Sequence, residues 1–223
     1  MTTLAPATPR GRRTRDAVVR AAREVFEQRG FDGTRMSDIT DAAGVSHGTV
    51  YTYFTSKEEV LAQVCDDLAG EVFAAVRVPD DLRADPVTRI HEGNRRYLQA
   101  YARNARMLEV VEQAATTNER FRSLVDGLRA VFVQKARASL VQYQDDGLAD
   151  PALDPEIAGP ALVGMVESFA RRWHAQPQPL DADRVVDTLT TLWARAIGLP
   201  TTGPAETRRT PADPPPNHPG GSA

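Results

Sequence analysis

The sequence predicts an all-α protein with a three-helix unit at its front, containing a helix-turn-helix, and a larger helical body behind it. Three observations carry that reading. Apolar residues recur three and four positions apart along nearly the whole chain, and the alternation of a half-buried strand never persists. Gly44-Val45-Ser46 forms a tight turn between two short helical stretches, with Val45 turned inward and Ser46 placed to cap the second of them. Elsewhere the breaks between helical stretches are short and marked by Gly, Pro or Asp.

The elements are read in chain order. A first helix is expected from Thr14 to Arg29, with Ala17, Val18, Ala21, Ala22, Val25 and Phe26 on one stripe; Gly30 stops it and Phe31 folds back on Phe26. Met36–Ala43 and Ser46–Phe54 are the two short helices around the turn, and a fourth runs from Thr55-Ser56 to about Val76, where Val78-Pro79-Asp80 ends it. Asp85-Pro86 opens a long helix expected to reach Asn104. Met107–Thr116, Asn118–Gln144, Asp154–Ala175 and Asp181–Ile197 complete the set. Pro160 should kink the helix that contains it or delay its start. Residues 1–13 read as a flexible basic arm, 14–57 as the helix-turn-helix domain, 58–200 as the body and 201–223, rich in Pro, Gly and Thr, as a disordered tail.

Composition narrows the function. With 41% hydrophobic and 26% charged residues the chain is ordinary for a globular protein, and no apolar run approaches the roughly 18 residues of a membrane span. Met1–Arg13 lacks the apolar core of a secretory signal, so a cytoplasmic location is expected. A single cysteine, Cys65, at helical spacing from Leu61, Leu68 and Val72, reads as a core thiol, and four scattered histidines make no metal-ligand pattern. No phosphate loop, nucleophile elbow or facing pair of carboxylates is present, so no catalytic residue, metal or cofactor is assigned and the chain is not expected to be an enzyme. Charge is uneven: although the net value is −3, Met1–Lys57 carries nine Arg/Lys against six Asp/Glu, with Arg10, Arg12, Arg13, Arg15 and Arg20 densest. That is the electrostatic footprint of a part that approaches phosphates.

The turn itself points the same way. The helix after it exposes Ser46, His47, Gly48 and Thr49, small or polar groups able to approach base edges in a major groove. Glycine inside a helix costs about 1 kcal/mol relative to alanine, so Gly48 implies close approach to DNA or to a neighbouring helix. Tyr51, Thr52 and Tyr53 add hydroxyls one turn on, and Lys57 lies at the next helix start, where its ammonium and free backbone N–H groups suit phosphate.

Together, VVRAAREVFEQRGFDGTRMSDIT and AGVSHGTVYTYFTSKEEVL, spanning Arg13 to Leu61, closely resemble the DNA-binding domain of the TetR family of repressors. The resemblance implies a homodimer presenting two recognition helices to a partly palindromic operator, and a C-terminal domain for a small effector. It places His47, Gly48, Thr49 and Thr52 toward bases and Thr34, Ser46, Tyr51, Tyr53 and Lys57 toward phosphates. Two positions depart from the family pattern: Arg35 replaces the usual Ser or Thr at the second helix start, adding a candidate DNA contact, and Thr40 replaces Ala.

For the body, the resemblance implies that the last two long helices pair with their copies, and Leu162, Val166, Phe169, Trp173, Leu189 and Trp193 are the expected interface side chains. The Gly159, Gly164 and Ser168 row suits either that interface or an internal seam. A hydrophobic effector is expected within a lining of Tyr97, Tyr101, Met107, Val110, Phe121, Leu124, Leu128 and Met165, and its binding should release a repressor from its operator. Two other readings remain: a helical enzyme that reuses the turn, which lacks catalytic groups, and a protein-interaction module, which leaves Gly48, Tyr51 and Lys57 without a common reason.

Overall fold

The computed structural model describes residues 8–77, 85–176 and 179–200, and within them the chain forms eight helices and no strand. The helices are α1 (Pro9–Arg29), α2 (Met36–Ala43), α3 (His47–Tyr53), α4 (Lys57–Ala75), α5 (Pro86–Thr117), α6 (Glu119–Asp145), α7 (Pro155–Ala175) and α8 (Ala182–Ala196). The expected segments around Val78-Pro79-Asp80 and from Thr201 onward lie outside the described residues.

Two helices differ from expectation. α1 starts at Pro9 rather than Thr14, because Thr8 caps it by accepting the Gly11 N–H at 3.1 Å and proline at the first position is already set for the helix. Part of the expected flexible arm is therefore helical, and Arg10, Arg12 and Arg13 are carried on a defined rod. α5 continues unbroken past Asn104 to Thr117, so its 32 residues replace the two helices expected there. Nothing between Asn104 and Met107 breaks a helix, and the Asn104 amide donates to the Ala100 carbonyl instead of ending the chain's turn. At 1.5 Å per residue α5 is a rod of about 48 Å.

Its length joins the two halves. One apolar cluster runs from Val18, Phe26, Val50 and Phe54 in the first three helices, through Val60, Leu61 and Val64 of α4, to Met107, Val110 and Phe121 of the body. The boundary expected at residue 57 thus falls inside a shared core. A polar joint reinforces it: the Arg23 guanidinium donates to Glu27 at 3.1 Å, Glu71 at 3.0 Å and Asn104 at 2.6 Å, fixing α1 to α4 and α5 together. Behind it, α6 and α7 pack as a pair on one side of α5, and α8 packs on another through Leu98, Val185, Val186 and Leu189.

Pro160 does not delay α7, which begins at Pro155 and passes through it. Proline leaves the Glu156 carbonyl without its helical donor, and the Arg137 guanidinium of α6 takes that place at 3.4 Å while pairing with the Glu156 carboxylate at 2.8 Å. Gly159 lets the two helices approach: a methyl there would lie 2.7 Å from Arg137 Cγ. The expected glycine row therefore divides, with Gly159 in an internal seam and Gly164 facing open space.

Candidate DNA-binding head and effector cavity

α2, the turn and α3 are set by local chemistry. Gly44 adopts φ 64°, a left-handed conformation that an L side chain rarely takes, and so reverses the chain after Ala43. Ser46 then caps α3 by accepting the Thr49 N–H at 3.2 Å, and its hydroxyl shares a 2.8 Å hydrogen bond with that of Thr49. Val50 and Phe54 are buried beneath the helix and Tyr53 packs half-buried beside them, which leaves one outward face.

That face carries Ser46, His47, Gly48, Tyr51 and Thr52, all exposed, with Thr49 half-buried at its edge. Tyr51 is 50% exposed, unusual for so large a ring. Among the described residues, nothing beyond α3's own backbone and Gly48's chain neighbours lies within 4 Å of a methyl placed on Gly48, so packing against a neighbouring described helix is not the reason for that glycine. Arg35, the N-cap of α2, is exposed as well; its N–H donates to Asp38 at 2.8 Å, and Arg29 pairs with the same carboxylate at 2.7 Å. The Arg35 N–H first, then Arg29, hold the Asp38 carboxyl below its ordinary value.

Two residues expected at phosphates are engaged differently. Thr34 is 1% exposed and its hydroxyl donates to the Gly30 carbonyl at 2.7 Å, so its side chain braces the loop between α1 and α2. Lys57 donates to the Phe31 carbonyl at 2.9 Å and the Thr34 carbonyl at 3.1 Å, and its ammonium lies 4.4 Å from the Phe31 ring centroid. It is a staple first, with one N–H direction left over. The start of α4 is also occupied, because Ser56 accepts from the Glu59 N–H and the Glu59 carboxylate accepts the Thr55 N–H at 2.7 Å. A phosphate would meet an acid there.

In the body, a cavity of about 500 Å3 lies between the end of α4 and helices α5 to α8. Its apolar wall includes Val76, Ile90, Phe132, Leu140, Val163 and Trp193, and Asn94 is a buried polar group within it, donating to Thr190 at 3.3 Å. Of the expected lining only Tyr97 belongs to this cavity. Tyr97, Tyr101, Leu124 and Leu128 line a smaller space of about 120 Å3 next to it. Met107, Val110 and Phe121 are buried in the cluster that joins head and body, and Met165 packs beside α8. The unbroken course of α5 is the reason, since residues beyond Asn104 are carried toward the head. The expected dimer residues also have neighbours within the chain. Leu162, Val166 and Leu189 are buried within the protomer, with Phe169, Trp173 and Trp193 packed half-buried against them. The outward apolar residues of α7 and α8 are Ile157, 71% exposed, and Leu192, 50% exposed.

A family model described as bacterial regulatory proteins, tetR family, matches residues 18–64, which run from Val18 within α1 to the buried Val64 of α4. Over residues 18–64 the chain carries the DNA-binding segment of the tetR family of regulators. It is accordingly a DNA-binding transcriptional regulator. The HTH-type transcriptional regulator EthR of Mycolicibacterium smegmatis is 28% identical over 203 residues, covering 85% of this chain and 92% of that protein. The HTH-type transcriptional repressor KstR2 of the same organism is 25% identical over 194 residues, covering 82% and 90%. The fold is shared with a solved structure described as the fatty acid degradation regulator FadR from Bacillus halodurans, at a TM-score of 0.71 and 20% identity over 88% of this chain and 100% of that one. Among the described residues no helix is long and apolar enough to cross a membrane, and no three His, Cys, Asp or Glu converge to hold a metal ion.

Proposed function

We propose that the protein is a homodimeric repressor whose α3 helices read successive major grooves of an operator, and that a small, largely apolar effector in the 500 Å3 cavity releases it. One observation carries the coupling: only Phe54, Thr55 and Ser56 separate α3 from α4, and the α4 C-cap, Val76, is part of the cavity wall. A ligand that shifts the end of this helix shifts the recognition helix with it. In the head, His47, Gly48, Thr49 and Thr52 face base edges, Ser46, Tyr51 and Arg35 face backbone phosphates, and Arg10, Arg12 and Arg13 on α1 add phosphate attraction. Dimerisation falls to the outward faces of α7 and α8, where Ile157, Gly164 and Leu192 leave room and apolar surface for a second copy.

Release requires a ligand that binds better to the form with misplaced heads, and a difference of about 1 to 3 kcal/mol lowers DNA affinity roughly 5- to 150-fold. Gly93 provides the test, because it lines the cavity and has open space where a side chain would project. Apolar candidates are titrated against the protein–operator complex and against the Gly93→Phe variant, with thermal stability followed in parallel. A compound that stabilises the protein and releases DNA only from the parent is the expected result. One that stabilises the parent yet leaves operator affinity unchanged would show that the cavity and the head are not coupled.

A further inference from the structure

The cavity wall is largely apolar and carries four ionisable side chains of fixed charge: Arg77, Arg89, Lys135 and Glu167. Glu167 is already neutralised, paired with Arg129 at 2.8 Å, and it stands beside Tyr97 and Phe132 where the large cavity meets the smaller one. The three cations are of another kind. They come from different elements, Arg77 just beyond α4, Arg89 in the first turns of α5 and Lys135 in α6, and all three are exposed to solvent. None of them has a carboxylate partner within ion-pair distance among the described residues. The Arg89 guanidinium lies beside Tyr143 at the same place, and Asp85, whose charge also reaches Tyr143, is held as the α5 cap by the Thr88 N–H and hydroxyl. In a body whose charge is otherwise negative, three cations on one cavity wall with no carboxylate partner among the described residues are a selective feature.

We infer that the effector is an amphipathic anion, with its apolar body in the cavity and its carboxylate, sulfonate or phosphate group at the mouth between Arg77, Arg89 and Lys135. The inference rests on the reading of this cavity as the effector site and adds the ligand's charge and orientation. Where the cavity meets the smaller space, the Glu167 carboxylate, paired with Arg129, stands beside the half-buried Tyr97 and disfavours an anion, so the head group lies with the three exposed cations. Charge-assisted hydrogen bonds from guanidinium and ammonium groups are about twice as strong as neutral ones and suit that group. Holding it also ties Arg77, the residue after the α4 C-cap, to α5 and α6. The ligand's charge thereby acts on the same helix that carries α3.

The test uses two fluorescent probes that differ only in charge: anilinonaphthalene sulfonate and the neutral phenylnaphthylamine that lacks its sulfonate. Titrated against the full-length protein, the sulfonate binds the parent at least about 10-fold more tightly, a preference worth roughly 1.4 kcal/mol. Dodecanoate displaces it more effectively than dodecanol. The preference disappears in the double variant Arg89→Gln, Lys135→Gln, and both probes are lost from Gly93→Phe. Equal binding of the two probes to the parent, with both lost from Gly93→Phe, overturns the anion while the effector cavity stands. Failure of either probe to respond to Gly93→Phe, or of both to bind at all, overturns the cavity as the site and the anion with it.

Discussion

Replacing Gly48 by alanine separates folding from function in a single methyl group. Gly48 is the second residue of α3, its conformation is helical, and a methyl there meets no described residue within 4 Å beyond α3's own backbone and Gly48's chain neighbours. Alanine therefore stabilises the free protein by about 0.5 to 1 kcal/mol, which in a chain of this size raises the melting temperature by roughly 2 °C. At a close-packed contact with DNA the same methyl acts in the opposite sense, because inserting a carbon into a filled interface costs about 1 to 3 kcal/mol, and a dimer meets that cost twice. Operator affinity should fall at least about 10-fold at fixed salt. Gly70 on α4 is the control: it is exposed and equally open, so Gly70→Ala gains stability and keeps its DNA affinity. Scanning fluorimetry and fluorescence anisotropy on the operator duplex measure both quantities. If Gly48→Ala melts higher and binds as tightly as the parent, no DNA lies against that face and the assignment of α3 as the reading helix is wrong.

The geometry sets three further outcomes. Tyr51→Phe weakens binding to all duplexes about equally, whereas His47→Ala changes which sequence is preferred, as competition against a panel of single-base operator variants would reveal. Lys57→Ala lowers stability by about 1 to 3 kcal/mol before any effect on DNA, because two buried-side carbonyls and the Phe31 ring lose their cation; urea denaturation reads this, and an unchanged midpoint contradicts it. Burial pushes the Cys65 thiol up to about 12 from 9.0, so folding favours its protonated form; that contribution is present below pH 9 and is lost as the pH rises toward 12. In the folded protein Cys65 should resist a thiol reagent at pH 9 and react at the free-thiol rate only in denaturant.

Much of the head was legible because its signals are local. Gly30, Gly44 and Ser46 announce the ends of three helices within a few residues of where they occur, and Val50 and Phe54 declare the buried side of α3. The start of α1 was legible too, in Thr8-Pro9, but a run of arginines reads more readily as a solvated arm than as helix. What sequence spacing concealed were relations that the folded loops create. Thr34 and Lys57 have the residue types of phosphate ligands, yet their partners, the carbonyls of Gly30 and Phe31, are supplied by the folded loop and cannot be seen in the one-dimensional pattern. The cavity was misplaced because a helix break inferred near Asn104 turned Met107 and Val110 toward the body's interior, whereas a continuous α5 carries them to the head. The better signal was Asn94, a polar residue within the apolar stripe of α5, together with Gly93 beside it. Leu162, Val166 and Leu189 have an intramolecular use for their apolar surface, since α5 lies between α7 and α8 and takes it up.

The central claim is that this head reads a particular DNA sequence as a dimer, and selection of bound duplexes from a random pool tests it most directly. The full-length protein is incubated with the pool at moderate salt, bound duplexes are recovered and sequenced over several rounds, and the Gly48→Ala variant is carried through in parallel. The account predicts a recovered motif of two inverted half-sites, spaced so that two copies of α3 reach successive major grooves, strongly enriched by the parent and poorly by the variant. A pool that stays as random as it began, from protein that is folded and dimeric, would contradict it.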